Sequence, residues 1–362
     1  MAEQQLPPSH DDPPANPRHR RILAVVNPVS GPRGSQRAMG DLQERAKKAG
    51  VTLEVVETRP GASVEEMVST RTGPFDCYLA VGGDGTVMDV AELAMRDKLP
   101  LAVMPRGTAN ALAWHFGLPF DVARAFRVAV EGRPIAVDVA QTPDHKFLLM
   151  AGLGYDAHVI RDATRTLKRR FGFLAYLYAA LKNLTRRPYT FRVEIEDKKA
   201  VTVLGGTAIV TNIGTLAGNI RFEREISPVD GTLDVLVMSP AKFGHFFRMM
   251  VLGVLGRLRE DPRVRHFRGT KVRIECRPRA PLQVDGDDVG GLHRNLEVTV
   301  LPRALTLLVP PEGMWKLPWM PDVTWSPSMP RGTFPRPGHG PLSPPQTPAV
   351  GVPESTLPRT LR

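Results

Sequence analysis

Between residues 21 and 140, short continuous apolar runs alternate with stretches whose apolar residues recur every three or four positions. The runs Ile22–Val26, Val51–Val56, Cys77–Val81 and Leu101–Met104 have the length and continuity of strands buried on both faces. The periodic stretches 34–49, 62–70, 86–95, 108–116 and 121–130 predict helices, with Thr86 placed to cap the third. Such alternation predicts an α/β N-terminal domain, a doubly wound parallel sheet with helices on both faces. From about residue 144 the texture changes to strand-like runs at 145–151, 189–196, 199–212, 232–238, 270–276, 281–285, 295–301 and 304–309. Helical stretches at 156–166, 172–186 and 241–258 interrupt them. This half predicts a β-rich, sandwich-like C-terminal domain. The domains expected are therefore 21–143 and 144–310, flanked by a disordered N-terminus, 1–20, and a Pro-rich disordered tail, 311–362.

Three of the first four strands end in polar loops that carry glycine. The first runs into Asn27-Pro28-Val29-Ser30-Gly31, the third into Gly82-Gly83-Asp84-Gly85-Thr86, and the fourth into Pro105-Arg106-Gly107-Thr108-Ala109-Asn110. Ligands of open α/β sheets bind at that edge, where helix N-termini offer amides to phosphate. An acid inside such a loop repels phosphate unless a cation lies between them. The simplest reading is a nucleotide with a divalent metal.

A carboxylate pair, Asp285-Gly286-Asp287, follows the strand-like Pro281–Val284, and the glycine can aim both acids at one point. An Asp-Gly hairpin turn is the plain alternative. Gly152-Leu153-Gly154-Tyr155-Asp156-Ala157 imitates a dinucleotide fingerprint, but no acid follows at the required distance of about twenty residues. A turn bordering a cleft is expected there instead.

In this order and spacing, the three loops resemble the diacylglycerol kinase catalytic domain over about residues 20–310. That superfamily includes sphingosine and ceramide kinases, with NAD kinase and phosphofructokinase as distant relatives. The resemblance implies an NAD-kinase-like fold, an active site in the cleft between the domains, and a last strand that returns to the first domain. It places ATP on Asn27, Ser30, Thr58, Gly82, Gly83, Asp84, Gly85, Thr86, Val87, Met88, Gly107 and Thr108, with Asn110 supporting the second loop. Thr58 reads equally well as a strand-end turn before Pro60-Gly61.

Asp287 stands where these kinases carry a glutamate proposed as general base, one methylene longer. Asp285 and Asp84 join it as catalytic candidates, and Asp138 resembles another active-site acid of the family. Ser227–Asp234 resembles a loop that binds a structural Mg²⁺, with Val229 in place of an acid and Asp230 and the backbone carbonyls around Thr232 left as ligands; an Asp-Gly turn without metal reads equally well. Many bacterial members carry an aspartate at the position of Ala111, whereas sphingosine and ceramide kinases resemble this chain in Asn-Ala-Leu. The implied activity is ATP- and Mg²⁺-dependent phosphorylation of a diacylglycerol, sphingoid or related lipid. The alternatives are a soluble-substrate kinase related to NAD kinase and a non-catalytic nucleotide-binding regulator.

Charge adds a partner. The net charge is +11, and no nucleic-acid-binding signature accompanies it, so an anionic membrane surface is favoured over nucleic acid. Phe171–Leu181, flanked by Lys168, Arg169, Arg170, Arg186 and Arg187, suits an acyl pocket, interfacial docking or an ordinary core. Phe243–Leu252, flanked by Arg257 and Arg259, reads in the same three ways. No apolar run is long enough to span a bilayer, and the two cysteines, Cys77 and Cys276, lie in strand-like runs. A cytoplasmic, peripherally membrane-associated protein is expected, with a homodimer left open and Trp315, Trp319 and Trp325 placed in the tail.

Overall fold

Strand β1 (Arg21–Val26) is apolar on both sides because both sides are covered. Leu23 and Val25 join one buried cluster, and Ile22, Ala24 and Val26 join another. The same division holds for β3 (Cys77–Gly82) and β4 (Leu101–Pro105). With β2 (Thr52–Glu57) they form a parallel array in the order β2-β1-β3-β4. Helices α1 (Ser35–Lys48) and α5 (Val122–Glu131) cover one face. Helices α2 (Val64–Ser69), α3 (Asp84–Asp97) and α4 (Ala111–Phe116) cover the other. The computed structural model describes residues 18, 20–30, 35–71, 73–162, 187–217, 220–223, 225–239 and 243–311.

After β5 (Arg133–Gln141) and β6 (Lys146–Phe147), the chain builds an antiparallel sandwich. Its strands are β7 (Met150–Gly154), β8 (Tyr189–Ile195), β9 (Val201–Gly205), β10 (Thr207–Thr211) and the small pair β11 (Thr215–Ala217) and β12 (Ile220–Arg221). They continue with β13 (Leu233–Met238), β14 (Val264–Gly269), β15 (Lys271–Ala280), β16 (Leu282–Val284), β17 (Asp287–Asp288) and β18 (His293–Val309). Helices α6 (Tyr155–Asp162) and α7 (Phe243–Val254) and a 3-10 turn, Leu258–Glu260, accompany them. One layer runs β14-β13-β10-β7-β16-β17, and the facing layer runs β18-β15-β8-β9. Phe147, Leu153, Phe191, Val210, Val235, Ile274 and Leu296 fill the space between them.

The two halves share β18. Its first part pairs with β15 in the sandwich, its second part with β5, and Leu307 meets Leu101 of β4 in parallel. The sheet of the first half therefore continues without a break into one layer of the second. The last strand returns to the first domain, as expected.

Several elements differ from the sequence expectation. Helix α3 starts at Asp84, with Gly83 at the cap position, so Thr86 lies inside the first turn rather than capping it. Gly152–Gly154 is not a turn but part of β7, which runs directly into α6. A Cβ at Gly152 would lie 1.4 Å from Asp156 Oδ2, so glycine there makes room for a buried carboxylate. The stretch 199–212 divides at Gly205-Gly206 into β9 and β10. Segments 295–301 and 304–309 are one strand with a bulge between Leu301 and Leu305. Strand β14 carries too many charges for its pattern to reveal it.

The expected helix over 172–186, the apolar run 171–181 and the tail with its three tryptophans lie outside the described residues. Among the described residues no helix is long and apolar enough to cross a membrane.

Candidate active site

The glycine loops after β3 and β4 press against each other. A Cβ on Gly107 would stand 2.5 Å from the Gly83 Cα, so only glycine permits the approach. Arg106 N donates to Gly82 O at 2.7 Å and fixes the two strand ends together. Asn110 closes the second loop on itself, accepting from Gly107 N at 2.8 Å and donating to Gly107 O at 2.7 Å. Its φ of 46° is a left-handed conformation that asparagine tolerates better than most residues. Thr108 is exposed beside it.

Asn27, at the end of β1, donates from Nδ2 to Thr86 Oγ1 at 3.3 Å. Its backbone N–H donates to Val81 O, and its Oδ1 accepts from Val29 N. Ser30 N donates to Asn27 O, and Thr58 N donates to Val26 O at the neighbouring strand end. Asn27, Gly82, Gly83, Thr86, Gly107 and Asn110 are thus brought together at the carboxyl edge of the parallel strands. The first-turn amides of α3, from Asp84 to Thr86, have no partner further back in their own helix. A Cβ at Gly85 would meet nothing within 4 Å. Val87 is buried beneath this turn and Met88 half-buried.

Asp84 has a duty that the sequence argument missed. Its carboxylate accepts from Ala111 N at 3.2 Å and Leu112 N at 3.3 Å, capping α4 from another element. Burial raises the Asp84 carboxyl above its ordinary range, while these amides pull it down.

Across from Asp84, the turn between β16 and β17 carries Asp285 at a φ of 48°. Its carboxylate accepts from Leu148 N at 3.0 Å, Leu149 N at 2.9 Å and Met150 N at 3.0 Å. Burial nevertheless pushes Asp285 up to about 7, with the nearby Asp84 charge adding to the rise. Gln283 Oε1 accepts from Gly286 N at 2.8 Å and holds the turn, while its Nε2 donates to Asp156 Oδ2.

The two acids of the 285–287 pair do not converge on one point. Asp287 is exposed on β17 and lies within electrostatic reach of Asp89, which burial and the Glu92 and Asp287 charges raise. Among the described residues its carboxylate makes no hydrogen bond. Asp288 is held by Arg161 through two 2.8 Å contacts.

Two other candidates are engaged elsewhere. Asp138 is wholly buried, and its oxygens accept from Gly231 N and Arg303 N, both at 2.7 Å, so it ties backbone segments together. Asp230 does not stand open as a metal ligand. One oxygen accepts from Thr232 N at 3.0 Å and Thr232 Oγ1 at 2.6 Å, and the other meets Arg268 Nη2. The residues present do not fit a structural Mg²⁺, which requires several oxygen ligands and retained waters. Among the described residues no group of three or more His, Cys, Asp or Glu is placed to hold a metal.

An α/β layer with parallel strands and an antiparallel sandwich joined through a shared last strand define an NAD-kinase-like two-domain fold. The family description "Diacylglycerol kinase catalytic domain" matches residues 21–142, and "YegS C-terminal NAD kinase beta sandwich-like domain" matches residues 150–309. The chain belongs to the diacylglycerol kinase catalytic-domain family, whose activity is ATP-dependent phosphoryl transfer to a hydroxyl acceptor. It is 25% identical over 299 residues to a diacylglycerol kinase of Bacillus subtilis, covering 78% of this chain and 97% of the relative. It is 26% identical over 301 residues to a diacylglycerol kinase of Mycobacterium tuberculosis, covering 81% and 96%. The crystal structure of a putative diacylglycerol kinase from Bacillus anthracis has a similar fold, with a TM-score of 0.68 at 20% identity, covering 81% of this chain and 98% of that one.

Proposed function

We propose that the protein is a lipid kinase, transferring the γ-phosphoryl group of ATP to a hydroxyl of a diacylglycerol, sphingoid or related lipid. The observation that carries this reading is the carboxylate pair Asp84 and Asp285 beside the amides of the glycine crevice. Phosphoryl transfer depends chiefly on positioning and charge neutralisation. The amides of 82–86 and Gly107, with the side chains of Asn27, Thr86 and Thr108, would cradle the phosphates. Thr58 and Ser30 sit at the adjoining strand ends.

A buried acid whose hold on its proton is strengthened by a second acid nearby fits a divalent cation shared with the triphosphate. Asp84 and Asp285 would hold Mg²⁺ there, and the ion would neutralise charge on the phosphates when bound. Asp287, exposed and without a hydrogen bond among the described residues, is the base for the acceptor hydroxyl. Ala111 brings no acid to the start of α4, which keeps sphingoid and other lipids beside diacylglycerol as substrate classes.

The net charge of +11 and the exposed Phe247, Val251, Val254 and Leu255 at α7 support docking on an anionic membrane surface in a cytoplasmic setting. Purified protein incubated with labelled ATP, Mg²⁺ and a mixed lipid panel should yield labelled product that extracts into organic solvent. Its absence beside active controls would remove the proposal.

A further inference from the structure

The loop entering β13 carries Asp230, and four residues on, β13 itself carries Asp234, which is almost wholly buried. Two carboxylates so placed need a compensating cation, because a buried charge without one is strongly destabilising. Arg268 on β14 supplies it. Asp234 and Arg268 are register partners across the β13–β14 pair. The guanidinium hydrogen-bonds Asp230 through Nη2 to Oδ2, and its Nε stands 3.6 Å from Asp234 Oδ2, an ion-pair distance that leaves this buried oxygen without a hydrogen bond among the described residues. His266 Nε2 pairs with the remaining Asp234 oxygen, Oδ1.

The same loop fastens the two halves of the molecule. Gly231 N donates to Asp138 Oδ2 at 2.7 Å, and Asp138 N donates to Pro228 O at 2.8 Å. The other Asp138 oxygen receives Arg303 N from the bulge of β18.

We propose that Arg268 is the built-in cation of this clasp, replacing a divalent ion, so that the fold is independent of metal and any Mg²⁺ requirement is confined to the nucleotide. Three features carry the inference. The oxygens of Asp230 are already occupied, by Thr232 and by Arg268. Val229 offers no oxygen from its side chain where a third acidic ligand would stand. A fixed guanidinium repels a second cation at contact distance, while its planar fork suits carboxylates well.

The test is thermal unfolding of the nucleotide-free full chain, with metal content measured after desalting. The wild-type melting temperature should be the same in excess chelator and in excess Mg²⁺, and less than one equivalent of divalent metal should be retained. Arg268→Met should melt lower, by roughly 2–4 °C or more, and Arg268→Lys should recover part of the loss. A wild-type melting temperature that falls on chelation and returns with Mg²⁺ would overturn the proposal. So would an Arg268→Met protein that melts with the wild type. If Arg268→Met does not fold, the wild-type chelation series and metal content decide.

Discussion

Asp285 combines a left-handed backbone with three amide donors and a protonation equilibrium near neutrality. An unfolded aspartate titrates at about 3.9, so in the folded state this group holds its proton up to about 7. Between those values the folded state binds more protons, and the contribution of Asp285 to stability declines as pH rises, levelling off above neutrality. Denaturation midpoints of metal-free, nucleotide-free protein from pH 4 to 8 should show this slope, and Asp285→Asn should remove it from the difference curve. Asp287 behaves differently because it is exposed. As general base it should cost roughly 10²-fold in turnover on replacement by Ala, with little change in ATP affinity, whereas Asp287→Glu should stay active. An inactive Glu variant beside an active Ala variant would move the base to Asp285 or Asp84. The spacing Asp285-Gly286-Asp287 revealed a special turn, but not that one acid turns inward and the other faces out.

At the scale of single elements, the glycines of the crevice separate two kinds of constraint. Gly107→Ala must push Cβ into the Gly83 backbone, which cannot yield as a side-chain tip can. Both stability and ATP affinity should fall. Gly85→Ala meets open space within a helix and should gain about 0.5–1 kcal/mol of stability. If phosphate occupies that space, ATP affinity should drop all the same. Denaturation and calorimetry on the two variants check this pair of outcomes. Asp84→Asn should abolish turnover and loosen α4 by about 1 kcal/mol, as loss of a cap does. The strands and helices of this half were legible because burial on two faces leaves continuous apolar runs, as in Cys77–Val81. The cap of α4 was not, since its acceptor lies 27 positions away in sequence. Thr86 misled for a related reason: its hydroxyl meets Asn27 from another strand, not its own helix end.

Across the whole molecule the least legible feature is β18. Pro302-Arg303 interrupts the alternation of apolar residues, so the pattern reads as two strands, and only pairing shows a single one with a bulge pinned by Asp138. That Asp138 holds this bulge was not legible either, because local sequence does not show which distant amides a carboxylate will meet. Replacement of Asp138 by Ala should destabilise both halves together, seen as one lowered unfolding transition rather than two. A chain cut to 1–143 should fail to form stable tertiary structure by circular dichroism, whereas 1–311 should fold. Seventeen residues that belong to two lobes also impose an order in time. During synthesis the nucleotide-binding half leaves the ribosome first, with β5 still lacking its main partner and the edge of β4 uncovered. Domains usually fold as they emerge, from the N-terminus onward. Here the earlier-made half must wait for the last strand, and an unpaired edge is open to wrong partners for the whole interval.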